Sequence, residues 1–169
     1  RQFSHPQFIA QVQSALHSSG ANPHRLILEL TESLVLHDVA DTANTMQTLR
    51  AQGVRFSLDD FGTGYASLSH LKRLPLYQLK IDGSFVQDIV TDSNDQAMVQ
   101  TMIGMANNLG LNVIAEGVET QAQHQALLQL HCPAFQGYFF ARPLPLAQFE
   151  QALTTPALPA PAEAPHFSI

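Results

Sequence analysis

Apolar positions along this chain follow two alternating rhythms, and the switches between them divide it into elements. Phe8, Ile9, Val12 and Leu16 recur at the three-to-four-residue step of a helix, with Ser4 before Pro6 as a start and Gly20 as a stop. This pattern predicts a helix over Ser4–Ser19 with no strand before it. Arg25–Leu30 is then a β-like run, Val39–Gln52 a helix closed by Gly53, and Val54–Leu58 a second strand. After a glycine-rich loop come a short helix around Leu68–Lys72 and a strand over Tyr77–Ile81. Ser93–Leu109 is the longest predicted helix, closed by Gly110, and its Met98, Met102 and Met105 fall at helical spacing, which suits core packing better than a ligand box. Leu111–Ala115, Gln121–Leu130, Ala134–Tyr138 and Leu146–Ala152 continue the alternation. Strand followed by helix, five times over, predicts an α/β fold built on a parallel sheet or barrel. From Thr154 to Ile169 the chain is rich in Pro and Ala, and a mobile tail is expected there.

Each strand-like run ends on acidic or polar residues: Leu26–Glu32, Val54–Thr63, Leu76–Asp82, Val113–Glu119 and Phe135–Tyr138. In a barrel of alternating strands and helices these ends converge on one rim, where such barrels place their chemistry. Asp59 and Asp60 repel each other unless cations neutralise them, so a divalent pair suits them; alternatively, Asp60 caps a following helix. Glu29 can point inward while Glu32, past the strand end, serves the loop above. Lys80 and Asp82 lie two residues apart and can face the same interior; Glu116, Glu119 and Gln136 close the later strands. A lysine among carboxylates can be a structural ion pair, but five coincident strand ends favour a site.

Composition narrows the chemistry. The 169 residues, 45% of them hydrophobic, suit one domain with a real core. A formal net charge of −6 without a basic stripe argues against a nucleic-acid duplex as partner, and an acidic site for a phosphate ester would need metal cations. The single Cys132 rules out an internal disulfide or a thiolate cluster and fits a reducing compartment. No run approaches the roughly 18 apolar residues of a membrane span, and Arg1-Gln2-Phe3 does not open a signal peptide. A cytoplasmic location without membrane contact by this segment is expected, although a parent protein could be anchored elsewhere.

Several motifs then match a family. Glu29-Leu30-Thr31-Glu32, Asp59-Asp60-Phe61-Gly62-Thr63-Gly64-Tyr65 with Ser67-Leu68, Leu79-Lys80-Ile81-Asp82 with Phe85-Val86, Ala115-Glu116-Gly117-Val118-Glu119, and Gln136-Gly137-Tyr138 with Arg142-Pro143-Leu144-Pro145 stand in order along the chain. Together they resemble the EAL-domain phosphodiesterases, which cleave cyclic di-GMP to linear pGpG. The resemblance runs from Arg1 to about Ala152, and it implies that residues 1–153 form the C-terminal part of an EAL domain, five strands of a TIM-type barrel, with 154–169 as the flexible tail. It also implies that the family's first three strands, with the Glu-Ala-Leu signature, a substrate-binding arginine and a ligand asparagine, lie outside the sequence.

By the same resemblance Glu29, Asp59 and Asp60 are ligands of a site for two Mg²⁺ or Mn²⁺ ions. Lys80 holds or deprotonates the attacking water, and Glu116 is the carboxylate near the second metal. Glu32 anchors the loop that contains Thr63, while Asp82, Glu119 and Gln136 line the substrate and metal site. A lysine ringed by carboxylates stays protonated, which favours positioning of water over a literal general base. Ala66 stands where many members have serine. The resemblance further implies a homodimer through the helix after the glycine-rich loop, with Tyr65, Leu68 and Leu71 as its apolar edge, and allows a fused GGDEF or sensor domain upstream. Two other functions stay open at this point: a non-catalytic cyclic di-GMP receptor, and a segment that only mediates dimer contacts or regulation.

Overall fold

Four strands pair side by side in chain order: β1 (Ile27–Thr31), β2 (Arg55–Phe61), β3 (Gln78–Ile81) and β4 (Asn112–Ala115). All three pairings are parallel. A parallel neighbour cannot be reached by a tight hairpin, so helices fill each crossover. α1 (Phe8–Ser19) precedes the sheet; α2 (Glu32–His37) and α3 (Val39–Arg50) join β1 to β2, α4 (Leu68–Leu71) joins β2 to β3, and α5 (Gly83–Gln87) with α6 (Ser93–Asn108) joins β3 to β4. α7 (Gln121–Gln129) and α8 (Leu146–Thr154) follow. The computed structural model describes residues 2–154 apart from 4, 38 and 65–67, and at 36 and 37 only the backbone. Tyr65, Ala66 and Ser67 lie outside the described residues, as does the expected tail of 154–169 apart from Thr154, which ends α8 instead of opening a tail.

Alternation along the strands sorts the side chains into two sets. Phe56, Leu58, Leu79 and Ile81 are fully buried and share one core with Met46 and Leu49 of α3, Val99, Ile103 and Ala106 of α6 and Leu127 of α7. The residues between them, Ser57, Asp59 and Lys80, turn to the opposite side of the sheet. One side of the sheet thus supplies cohesion through apolar burial, and the other is released for chemistry. Met102 and Met105 pack in or against the core as expected, whereas Met98 is 45% exposed. Cys132 is buried, and that burial pushes its thiol above the ordinary range.

The structure departs from the sequence reading in four places. α1 begins at Phe8 instead of Ser4, with Gln7 rather than a serine at its N-terminal boundary. β2 runs on to Phe61 instead of ending at Leu58, so both aspartates lie within the strand. The short helices α2 and α5 were not foreseen; each packs at a strand end, and their few residues give too little periodicity to read. The fifth strand shrinks to a single bridge of Phe135 to Ala115, because Gly137 draws the chain tightly against the Val118 backbone, leaving no extended run.

Leu79 sits between Leu58 and Val113 in the parallel register, with no exposed surface. Leu79→Ala leaves a cavity that the flanking strands cannot close, and should lower unfolding stability by about 2–5 kcal/mol. Urea unfolding with an unchanged m-value checks this; a loss under about 1 kcal/mol would mean that β3 is not the centre of the core.

Candidate active site

The parallel register brings the C-terminal ends of the strands to one level. Glu29 pairs with Ser57, Thr31 with Asp59, and Lys80 with Ile114. Lys80 therefore emerges among carboxylates from three other segments. Its Nζ donates to Glu29 Oε2 at 2.9 Å, and lies 3.0 Å from Asp59 Oδ1 and 2.8 Å from Glu116 Oε1. The Lys80 side chain is only 6% exposed, while that of Glu29 is 51% exposed, so the cluster opens to solvent on the Glu29 side. Burial alone would draw the ammonium toward neutrality, but its hydrogen bonds to Glu116, Glu29 and Asp59 outweigh this and hold it above the ordinary lysine value. Burial also pushes the Glu116 carboxyl upward; Lys80 opposes that shift and the charge of Asp59 adds to it.

Adjacent residues in a regular strand point to opposite faces, yet Asp59 and Asp60 serve the same side. The cause is a bulge. Leu58 pairs with Leu79 and Phe61 with Ile81, so β2 carries one residue more than β3 across that interval. Asp60 takes a left-handed backbone with φ of 55°, a conformation that Asp adopts more readily than most residues. One carboxylate oxygen from each of Asp59, Asp60 and Glu116 then lies within 4.8 Å of the others. Desolvation, followed by repulsion from Asp59 and Asp82, shifts the Asp60 carboxyl upward against the pull of Lys80. An all-oxygen, anionic donor set of this kind fits a hard divalent cation such as Mg²⁺, Mn²⁺ or Ca²⁺.

The bulge is braced by the turn beyond it. Glu32, at the first position of α2 and 3% exposed, accepts hydrogen bonds at its Oε2 from the N–H groups of Gly62 and Gly64, each 3.3 Å. The Thr63 hydroxyl donates to the Asp60 carbonyl at 2.8 Å, so Thr63 ties the turn to the bulge and not to Glu32. Gly62 has a φ of 102°, and a Cβ there would fall 2.5 Å from Met102 Cε, which leaves room for glycine only.

Three other expected residues stand apart from the cluster. Asp82 caps α5, accepting from the Ser84 N–H at 3.0 Å, where the strand ends at Ile81 and the backbone turns into the helix. Its charge nevertheless reaches Asp60. Glu119 and Gln136 are exposed, Glu119 donating its N–H to Gln123 Oε1 and Gln136 bridging Ala115 and Val118 through its backbone. Sequence reasoning missed Gln123, whose side chain closes a capping box with Thr120 and donates to the Gln87 carbonyl at 3.1 Å, fastening α7 to the end of α5. The Thr-x-x-Gln spacing carried that signal. It also missed Ser57, fully buried on the chemical side of β2 with no hydrogen-bond partner for its hydroxyl among the described residues. A serine inside an apolar run gives no such signal.

A parallel α/β sheet with carboxylates and one lysine at its C-terminal rim defines a candidate hydrolase of phosphate esters. The EAL domain family matches over residues 1–143, and the chain belongs to it. Cyclic di-GMP phosphodiesterase NbdA of Pseudomonas aeruginosa is 46% identical over 145 residues, covering 86% of this chain and 18% of NbdA. Among solved structures, the c-di-GMP complex of the PaMucR phosphodiesterase, from the same organism, superimposes with a TM-score of 0.84 at 42% identity, covering 88% of this chain and 60% of that one. The manganese/cy-diGMP complex of Klebsiella pneumoniae BlrP1 gives 0.78 at 32% identity, covering 84% of this chain and 36% of that one. The chain spans about a fifth of the length of the curated relatives it matches.

Lys80→Met removes the one ammonium from between Glu29, Asp59 and Glu116. In EDTA at neutral pH the variant should lose about 3 kcal/mol in urea unfolding. A carboxyl held above its unfolded value, as Glu116 is, favours the folded state below the unfolded value and loses that contribution as pH rises through the folded one. The deficit should therefore shrink as the pH is lowered into the ordinary glutamate range. A variant as stable as the parent at neutral pH would show that the cluster needs no ammonium.

Proposed function

We propose that this chain forms the C-terminal part of a metal-dependent phosphodiesterase domain that hydrolyses one ester bond of cyclic di-GMP to give linear pGpG. The observation that carries this is the Lys80 ammonium held by Glu29, Asp59 and Glu116 with Asp60 swung in beside them by the bulge. Glu29, Asp59 and Asp60 would hold the Mg²⁺ or Mn²⁺ pair, with Glu116 next to it. When bound, such a pair lowers the pKa of a water and offsets charge on the phosphoryl oxygens. Lys80, kept charged by its neighbours, donates to the attacking water and to developing negative charge; it orients and stabilises rather than accepting the proton. Glu116, the less exposed carboxylate, accepts a hydrogen bond from the same water. Glu32 and Thr63 fix the turn that aims Asp59 and Asp60, and Asp82, Glu119 and Gln136 face the substrate from the surrounding ends. A non-catalytic receptor would have no physical need for these five chemical groups together.

The domain reading extends over residues 1–154, to the end of α8, with 155–169 as tail. A fused GGDEF or sensor domain and a cytoplasmic location go with it; no helix among the described residues is long and apolar enough to cross a membrane. We also propose a two-fold homodimer through α4. Leu68 is 59% exposed there, whereas Leu71 is buried and belongs to the core instead of the edge. Sedimentation at micromolar concentration should show a dimer that Leu68→Glu weakens, and a strictly monomeric protein would remove this interface.

The reaction is tested by following conversion of cyclic di-GMP to pGpG in the full-length protein. Mg²⁺ or Mn²⁺ should support turnover, while Ca²⁺, larger and less strict in geometry, should bind without supporting it. Equal activity in EDTA would sink the two-metal proposal. Glu32→Ala should lower kcat about 10–100-fold at saturating Mg²⁺, with a smaller effect on stability, since it loosens the turn behind the ligands. Wild-type kcat in that variant would reduce Glu32 to a structural acid.

A further inference from the structure

The opposite ends of the same strands carry the opposite charge. His24 precedes β1, Arg50 ends α3, Arg55 opens β2, Tyr77 precedes β3 and Asn112 opens β4; with the Gly53 backbone they line a recess of about 490 Å³. Among the described residues no aspartate or glutamate lines it, in a chain with fourteen acids against eight Lys and Arg. Among the described residues neither Arg50 nor Arg55 is ion-paired.

The recess is also organised. The Arg55 guanidinium stacks 4.4 Å above the Tyr77 ring, which fixes its plane and leaves its edge N–H groups free. The Asn112 side chain donates to the Tyr77 carbonyl at 3.1 Å and so ties the start of β4 to the segment that carries the ring. The His24 ring rests on Gly53, where a Cβ would fall 2.8 Å from its Cε1. The N–H groups of Gly53, Val54 and Arg55 are taken by Arg50, Leu49 and Leu26 carbonyls, so recognition in the recess falls to side chains. Arg50 can be explained as an answer to the negative end of α3. Arg55 stands on a strand and has no helix end to answer.

We propose that this recess binds the phosphate group of a soluble phosphorylated small molecule, with Arg50 and Arg55 on the phosphate oxygens and His24 and Tyr77 as flanking walls. Arg55 and Asp59 are four residues apart on one strand, about 13 Å, so this is a second site at the far end of the sheet and not an extension of the carboxylate rim. A bilayer headgroup carries the same chemistry, but a hollow between turns suits a free ligand better than a flat surface.

The test titrates the full chain with inorganic pyrophosphate in EDTA at constant ionic strength, followed by backbone and arginine side-chain amide resonances. Saturable shifts should centre on Gly53, Arg55 and Tyr77 and leave Asp59 to Gly64 unmoved. Arg50→Gln and Arg55→Gln should each weaken binding about tenfold, the loss of one charged hydrogen-bonded contact. Thermal unfolding without ligand checks each variant, and Arg50→Gln, on an exposed helix end, decides alone if Arg55→Gln fails to fold. Shifts that do not saturate, shifts centred at the carboxylate rim, or equal affinity in the variants would overturn the proposal. Binding to phosphatidylglycerol vesicles with no response to pyrophosphate would overturn it in favour of a membrane surface.

Discussion

One ammonium group sets the terms for the rest of the site. Lys80 is nearly enclosed by Glu29, Asp59 and Glu116, from three separate segments, and parallel pairing alone would deliver those carboxylates to one level with nothing between them. Charges in such a place destabilise a fold unless partnered, and the lysine partners three at once. It cannot neutralise them all. The cluster, with Asp60 beside it, stays rich in negative charge, which is the condition under which a divalent cation binds well. The apolar side of the sheet bears the cost: Phe56, Leu58, Leu79 and Ile81 are wholly buried against the helices, so the strands stay paired while their other side carries charge.

A second constraint works within β2. To use two consecutive aspartates on one side, the strand must break its own alternation, and it does so with a bulge and a left-handed Asp60. Backbone strain of this kind costs on the order of 1–3 kcal/mol and persists only where its surroundings hold it. Here Glu32 receives two N–H groups of the following turn, and the Thr63 hydroxyl bonds the Asp60 carbonyl. Glu32 lies in a different segment, so the geometry of the ligand pair depends on how β1 meets α2 as much as on β2 itself.

Much of this was legible in the sequence because strand-end acids fall where an apolar run stops. Glu29, Asp59, Lys80 and Glu116 could be grouped from that alone, and the structure brings them together. The bulge could not be read, since Asp59-Asp60 looks the same in a regular strand, a cap or a bulge; only the register against β3 separates these. Asp82 was placed beside Lys80 by strand alternation; the strand stops one residue earlier, and the Asp caps the next helix while its charge still acts on Asp60. The bridge at Phe135 looked like a strand because its residues are apolar and aromatic, while the close approach of Gly137 to Val118 depends on tertiary position. The recess at the other end was hidden for a related reason: Arg50 and Arg55 flank one turn and Tyr77 comes from another, and net charge reports only their excess of acidic counterparts.

The two ends of the sheet therefore differ in sign as well as in role. A phosphodiester approaching the carboxylate rim meets like charge, and Lys80 is already committed to three acceptors, so in the proposed reaction cations must load before the substrate can be held. Arg55, fixed by Tyr77 and unpaired with any acid among the described residues, presents the reverse condition and needs no metal to receive an anion. One strand, β2, spans both: its first residue faces the basic recess and its fifth the acidic rim. An anion held at Arg55 and a cation held at Asp59 would thus sit at the two ends of one strand without sharing a ligand.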